Sequence, residues 1–461
     1  MNLAAILDGH PGDAVVFITP GGPVSYGDLR HRVDDERAAL AARGIERGQR
    51  VAVVGANTVE FAVMYFALLG LGAIVVPLNP ESPKAEIDGE LAVVGATEVL
   101  SEPEPAGAAV AVPVADMAAD DVAVLVFTSG TAGAPRAAML THGSLLANTE
   151  QALAAPDPIT PDDVVLGVLP VFHVFGLSVS LHLPLAAGAS VLLEPRFDPA
   201  STLQRVTDHR VTILPGAPPM WVAWAALPDV EPAAFASVRM ALSGAAKLPE
   251  EVGDTLERRF GVIVREGYGL TEASPIVTTS VGIEPRRGSV GQPLDGVEVR
   301  LVDVDGADVL EGDPGEIWVR GPNVFAGYWA DPEASARALT PDGWLRTGDI
   351  AVVEDGYLYI VDRAKDLVIV SGFNVYPAEV EHVIAEHPAV AEVAVVGEAH
   401  PTTGEAVRAY VVPVAGATVD EAAVQAWTRD RLARYKCPSS VLIVDQLPKG
   451  LSGKVLRRAL R

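Results

Sequence analysis

The chain has 461 residues, a formal net charge of -26 and one cysteine, Cys437. That length exceeds one simple core and predicts two or three domains, and the acidic balance argues against a nucleic-acid or anionic-membrane surface. The lone cysteine excludes an intrachain disulfide framework and any multi-cysteine metal site, as suits a reducing cytoplasm, and Met1 to Asp8 lacks the basic and long apolar regions of a signal peptide.

In chain order, Arg50 to Val54 reads as a strand, Thr58 to Leu71 as an amphipathic helix and Ala73 to Val76 as a strand, a βαβ unit of the kind that builds parallel sheets. Phe61 to Leu78 runs eighteen residues without a charge, enough for a short membrane span. Gly70 and Gly72 followed by Val75-Val76-Pro77 predict instead a helix C-cap and a buried strand, so no integral membrane association is expected. Ser101 to Pro113, rich in Ala, Pro and Glu, reads as a surface loop. Val164 to Leu169, Ser190 to Leu193 and Val211 to Leu214 are further strands among helical stretches, and beyond Arg286 come short β-rich pieces, Val297 to Val304 and Gly315 to Val319. After Arg363 a compact α+β pattern follows: helix Pro377 to Glu386, strands Val390 to Val396 and Val407 to Val414, helix Val419 to Leu432 and strand Ser440 to Val444. The predicted class is α/β, a large N-terminal domain of parallel-sheet subdomains with a β-rich subdomain, then a small α+β C-terminal domain.

The apolar run Val122 to Val126 leads into Phe127-Thr128-Ser129-Gly130-Thr131-Ala132-Gly133-Ala134-Pro135-Arg136. Backbone N–H groups, small hydroxyls and one permanent cation make this loop an inventory for holding phosphate. No Gly-Lys-Ser/Thr follows, so it is not a Walker loop. With Leu140-Thr141-His142 it resembles the phosphate loop of the adenylate-forming superfamily, the acyl-CoA synthetases and their relatives, and four more motifs extend the resemblance over nearly the whole chain. Leu169-Pro170-Val171-Phe172-His173-Val174-Phe175-Gly176 is similar to the segment that closes over the acyl pocket in that family. Gly267-Tyr268-Gly269-Leu270-Thr271-Glu272 resembles the one whose tyrosine stacks on adenine, whose threonine meets the α-phosphate and whose glutamate holds Mg²⁺; a flat ring, a short donor and a hard carboxylate suit those three ligands. Ser243-Gly244-Ala245-Ala246 belongs with it, small residues that let backbone approach the adenine edge. Asp349, in Thr347-Gly348-Asp349, and Arg363 match the residues that bind the ribose. A packed histidine, a capping Thr-Glu pair and a turn-stabilising aspartate are the plain structural alternatives for these motifs.

Near the C-terminus, Pro448-Lys449-Gly450-Leu451-Ser452-Gly453-Lys454 resembles the segment carrying the catalytic lysine of adenylation. Only six of the 34 Lys and Arg are lysines, and four of them (Lys365, Lys436, Lys449 and Lys454) lie in the last hundred residues. A compact charge on a flexible stem can enter and leave a site, which a guanidinium committed to bidentate pairing does less readily. Eight cations against one acid, Asp445, between Arg431 and Arg461 make a local basic patch suited to a discrete anionic ligand.

The resemblance implies a large domain over residues 1–363 and a mobile small domain over 364–461, hinged at Lys365. It implies ATP and Mg²⁺ as cofactors, with the acyl adenylate passed to coenzyme A in a tunnel shaped by Ser371-Gly372-Phe373 and Arg434-Tyr435-Lys436. The family usually has lysine where Arg136 stands, and Ala132 and Ala137 depart from its pattern too; the doubt falls on pyrophosphate handling. No cation stands out in Val174 to Gly176, Pro215 to Met220 or Ser243 to Ala246, which disfavours dicarboxylic substrates, since a second carboxylate would be buried unpaired. The expected substrate is a medium or long fatty acid, with an aryl acid as runner-up. A carrier-protein pantetheine is the alternative acceptor, and the expected protein is a cytoplasmic monomer or homodimer, peripheral membrane association being left open.

Overall fold

The computed structural model describes the chain except residues 105–109, 129–135, 304, 364–367, 371–372, 376, 401–403, 433, 450–454 and 461. It divides into two compact units, one of Met1–Val299, Trp318–Thr347 and Gly356–Leu358, the other of Arg300–Ile317, Gly348–Asp355 and Tyr359–Arg461.

Among the described residues, two sheets lie wholly within the first unit. In the nine-stranded one, Val264–Gly269, Met240–Ser243, Ile213–Gly216, Val164–Gly167, Ser190–Leu193 and Val15–Thr19 lie side by side and parallel, and antiparallel strands close both edges. The other sheet runs Glu98–Leu100, Arg50–Val54, Ile74–Leu78, Val122–Thr128 and Arg136–Thr141, parallel except for the last pair. A core around Trp221, Trp224, Leu214, Phe235 and Leu256 packs helices on the larger sheet.

The uncharged stretch is a helix, Val59–Leu71, ended by Gly72 at φ 74, and then the fully buried strand Ile74–Leu78. Its apolar residues face protein on every side: Phe61, Tyr65, Phe66 and Leu68 are all buried, and the helix packs against helix Tyr26–Arg43 and the short turn Leu3–Leu7. Among the described residues no helix is long and apolar enough to cross a membrane.

An ionic network ties together the amino-terminal ends of the large sheet. Arg239 donates through Nε and Nη2 to the two Asp163 oxygens, at 2.8 and 2.6 Å, and through Nη1 to Asp157 at 2.7 Å. Thr212 Oγ1 adds a third donor to Asp163 at 2.7 Å. Burial opposes the Asp163 charge, but these donors outweigh it and hold the carboxyl down at about 2.

In the second unit, Phe373–Val375, Val368–Val370, Gly404–Pro413 and Val390–His400 form an antiparallel run, and Ser440–Ile443 pairs parallel with Gly404–Pro413. Helices Pro377–Ala385 and Glu421–Arg429 accompany it, around a core of Val380, Ile384, Val395, Val411 and Val424. A further sheet is ordered Glu298–Val302, Gly315–Arg320, Leu345–Glu354 and Tyr357–Arg363.

Candidate active site

Strands Ile213–Gly216, Met240–Ser243 and Val264–Gly269 lie side by side with Gly216 beside Ser243 and Ser243 beside Glu266, and the last continues three residues past its neighbours. The chain leaves Ser243 directly into Gly244-Ala245-Ala246, and Gly267-Tyr268-Gly269 finish the neighbouring strand before Leu270-Thr271-Glu272. Two of the segments singled out from sequence therefore share one sheet edge, where open α/β sheets bind ligands. Gly244 donates its N–H to Gly216 O at 3.2 Å, and Ala245 is held at φ 69, a left-handed conformation uncommon outside glycine. A Cβ on Gly244 would stand 2.8 Å from Phe175 Cζ, so the aromatic ring lies directly against this backbone.

Phe175 belongs to the short helix Val174–Leu177, capped by His173, whose Nδ1 accepts the Phe175 N–H at 3.2 Å. His173 is exposed, so the packed-core alternative for it does not hold. The loop before it is pinned by buried Asn57, which donates to Gly167 O and Leu169 O at 2.9 and 2.8 Å and accepts from Val171 N at 3.0 Å. Asn57 escaped the sequence reading, because a lone polar residue ahead of a helix carries no motif.

The Thr271-Glu272 turn is held from several sides. A Cβ on Gly269 would come within 2.2 Å of Pro275 O, and Leu270 N donates to that same oxygen at 3.0 Å. Thr271–Ala273 then make a single 3-10 turn, ended by Ser274 at φ 67. Buried Asn148 both donates to Ile276 O and accepts from Ile276 N, at 2.7 and 3.0 Å, while buried Asn323 donates to Ala273 O at 2.9 Å. Tyr268 lies in the preceding strand opposite Thr278. Nearby, burial pushes the Glu266 carboxyl above its ordinary range.

The predicted phosphate loop falls in sequence between the antiparallel strands Val122–Thr128 and Arg136–Thr141, whose last register pair is Thr128 with Arg136. Ser129, Gly130, Thr131 and Gly133 lie outside the described residues. Arg136 donates from Nε to Asp331 Oδ2 at 3.1 Å, and its guanidinium carbon is 5.9 Å from the Tyr328 ring centroid. Tyr328 in turn donates its O–H to Glu272 Oε1 at 2.6 Å. The loop end of this strand pair is thereby connected to the Glu272 carboxylate through a residue that the motifs did not single out. Among the described residues no three His, Cys, Asp or Glu gather to hold a metal. Mg²⁺ fits this arrangement nonetheless, because it keeps several waters and commonly takes one or two carboxylates together with substrate phosphates.

In the second unit Asp349 lies in the strand Leu345–Glu354, beside Gly348, whose N–H donates to Glu316 Oε1 at 3.0 Å. Arg363 ends the strand Tyr357–Arg363, and Phe373 begins Phe373–Val375. Arg434 and Lys436 share one short 3-10 turn, and Lys436 Nζ donates to Glu379 Oε1 at 2.6 Å. Lys365, Gly372 and Lys454 lie outside the described residues.

Residues 4–113 and 90–329 match the family model of the AMP-binding enzymes, and residues 379–454 match that of the AMP-binding enzyme C-terminal domain. The chain is 39% identical to a feruloyl-CoA synthase of an Amycolatopsis species over 96% of this chain and 94% of that one. It is 40% identical to a long-chain-fatty-acid–CoA ligase of Bacillus subtilis over 74% of this chain and 61% of the ligase. The crystal structure of ATP-bound MatB from Rhodopseudomonas palustris superposes with a TM-score of 0.93 at 35% identity, covering all of this chain and 98% of that one.

Proposed function

The chain belongs to the AMP-binding enzyme family and is an adenylate-forming acid–thiol ligase, and we propose that it joins an aryl-bearing carboxylic acid to coenzyme A. The observation that carries this reading is the shared sheet edge, where the glycine-opened backbone of Gly244 to Ala246 and the Gly267 to Glu272 turn leave adjacent strand ends, with the Phe175 ring against Gly244. An exposed backbone edge, the Tyr268 ring and the Thr271 hydroxyl suit a nucleotide, and a second aromatic face at Phe175 suits a flat acyl group.

In the first half-reaction a substrate carboxylate oxygen bonds to the α-phosphorus of ATP and the bond to pyrophosphate breaks. The phosphate hairpin, Thr271 and Lys454 offset charge that grows on the phosphoryl oxygens. Asp349 and Arg363 take the ribose hydroxyls. Mg²⁺, held by Glu272 and the phosphates, would supply charge neutralisation. In the second half-reaction the thiolate of coenzyme A attacks the acyl carbon and AMP leaves, along a path bordered by Gly372, Phe373, Arg434 and Lys436, after residues 364–461 turn about Lys365. Splitting the reaction separates a costly activation from an easier transfer.

The full-length likeness to a feruloyl-CoA synthase supports the aryl acid over the fatty acid that small, apolar pocket segments favoured. A fatty acid is the second reading, supported by the likeness to the Bacillus subtilis ligase. Pyrophosphate release over a panel of cinnamic, benzoic and C8–C16 fatty acids, with thioester followed in the presence and absence of coenzyme A, tests both. Aryl acids should release pyrophosphate and yield thioester only with coenzyme A. Turnover of fatty acids alone would replace the aryl reading, and adenylate without thioester would point to a carrier-protein acceptor.

A further inference from the structure

Building on the reading of Glu272 as the carboxylate that meets Mg·ATP, we propose that Arg136, Asp331 and Tyr328 form a positioning relay that sets this carboxylate from the strand that follows the phosphate loop, with Tyr328 as the residue that touches it.

Tyr328 sits in a segment tied to both parts of the site. Its backbone bridges to Ala138 of the hairpin, Met139 N donates to Gly327 O at 2.9 Å, and Trp329 N donates to Ala137 O at 2.8 Å. Three residues earlier, Phe325 N donates to the backbone oxygen of Glu272 at 2.9 Å, and the Phe325 ring meets the Tyr328 ring edge-on, centroids 5.0 Å apart. The segment thus spans from hairpin to metal turn on main-chain hydrogen bonds, and the Tyr328 side chain runs the same way. Its 2.6 Å hydrogen bond is the short kind made to a charged acceptor. A carboxylate has about four acceptor positions, so one O–H fixes the rotation of the group and leaves room on it for a cation.

The far end of the relay is equally constrained. Asp331 caps the helix Pro332–Ala338, accepting from Ala334 N at 2.9 Å, and its other oxygen accepts from Arg136. Ser335 Oγ accepts the Tyr328 N–H at 2.8 Å, so that helix also holds the tyrosine backbone. Arg136 binds Asp331 through Nε while its guanidinium carbon lies over the Tyr328 ring, two contacts that a planar fork makes at once and a single ammonium point charge does not. The cation beside the ring draws density from the phenol and strengthens its O–H as a donor. This gives a physical reason for arginine at the position where similar phosphate loops carry lysine.

The test compares ATP binding by calorimetry, with Mg²⁺ and with EDTA, in the full-length protein and in Tyr328→Phe, Asp331→Asn and Arg136→Lys. Losing an outer partner of a metal-binding carboxylate weakens metal affinity by about 10–100-fold. We expect Tyr328→Phe to lose about tenfold of the affinity that Mg²⁺ adds, with binding in EDTA and the melting temperature unchanged, and the other two variants to lose less in the same direction. An unchanged Mg²⁺ increment in Tyr328→Phe and Arg136→Lys, or equal losses with Mg²⁺ and with EDTA, would overturn the relay while leaving the ligase reading intact. If the unsubstituted protein itself gains no ATP affinity from Mg²⁺, the reading of Glu272 fails and the relay falls with it.

Discussion

Replacing Gly244 with alanine probes the junction of the nucleotide and acyl sites with a single methyl group. Gly244 does not need the left-handed region, so alanine meets no backbone strain there, and the effect is steric. The new Cβ would lie 2.8 Å from Phe175 Cζ, 3.1 Å from Cε1 and 3.3 Å from Cε2. Comfortable carbon contacts begin near 3.5 Å, so the ring tip must retreat by roughly 0.7 Å. Overpacking a well-filled site costs about 1–3 kcal/mol, and the low end applies because the displaced atoms are the far end of a side chain. A loss of ~1 kcal/mol at the acyl wall corresponds to about a fivefold rise in KM for the acid. The assay is pyrophosphate release, with acid and ATP varied separately. A rise in KM for the acid with KM for ATP unchanged is expected, with a melting temperature within a few degrees of the parent protein. The reverse pattern, ATP binding impaired and acid binding untouched, would refute the placement of Phe175 on the acyl side.

Lys454→Ala should slow adenylation by about 3 kcal/mol of transition-state stabilisation, while thioester formation from supplied acyl adenylate continues; equal loss of both half-reactions in a folded protein would contradict separate roles for the two steps. Gly372→Leu should let acyl adenylate accumulate and abolish thioester, and a drop in melting temperature with both half-reactions impaired would instead mark Gly372 as a turn residue. For Asp163, the folded carboxyl titrates below its ordinary 3.8, at about 2, so its stabilisation is complete above the unfolded value and is lost as pH falls from 3.8 toward 2. Asp163→Asn should therefore cost about 2 kcal/mol near pH 7, less than a fully buried pair because Arg239 is partly solvated, with little change in KM at the opposite end of the sheet. Chemical denaturation at pH 7 and near pH 2 measures both, and the gap between parent and variant should close in acid.

Much of the scaffold was written locally. The strands Arg50–Val54 and Ser190–Leu193 and the helix C-cap at Gly72 follow from short apolar runs, valine-rich in the first, and from glycine's freedom at positive φ, properties that neighbouring residues specify among themselves. The segments Gly244 to Ala246 and Gly267 to Glu272 were legible for the same reason, since each occupies a few consecutive residues. The glycines at 70 and 72 and the strand after them already told against a membrane span, but which protein surface the apolar helix would bury against was not legible, because an apolar face names no partner; packing beneath Tyr26–Arg43 decided it. Nor could sequence bring Arg136 to Asp331, 195 residues away, or Tyr328 to Glu272, 56 residues away. Such partners are chosen by where two distant backbone segments happen to be hydrogen-bonded side by side, a property of the assembled sheet edge that no local spacing encodes.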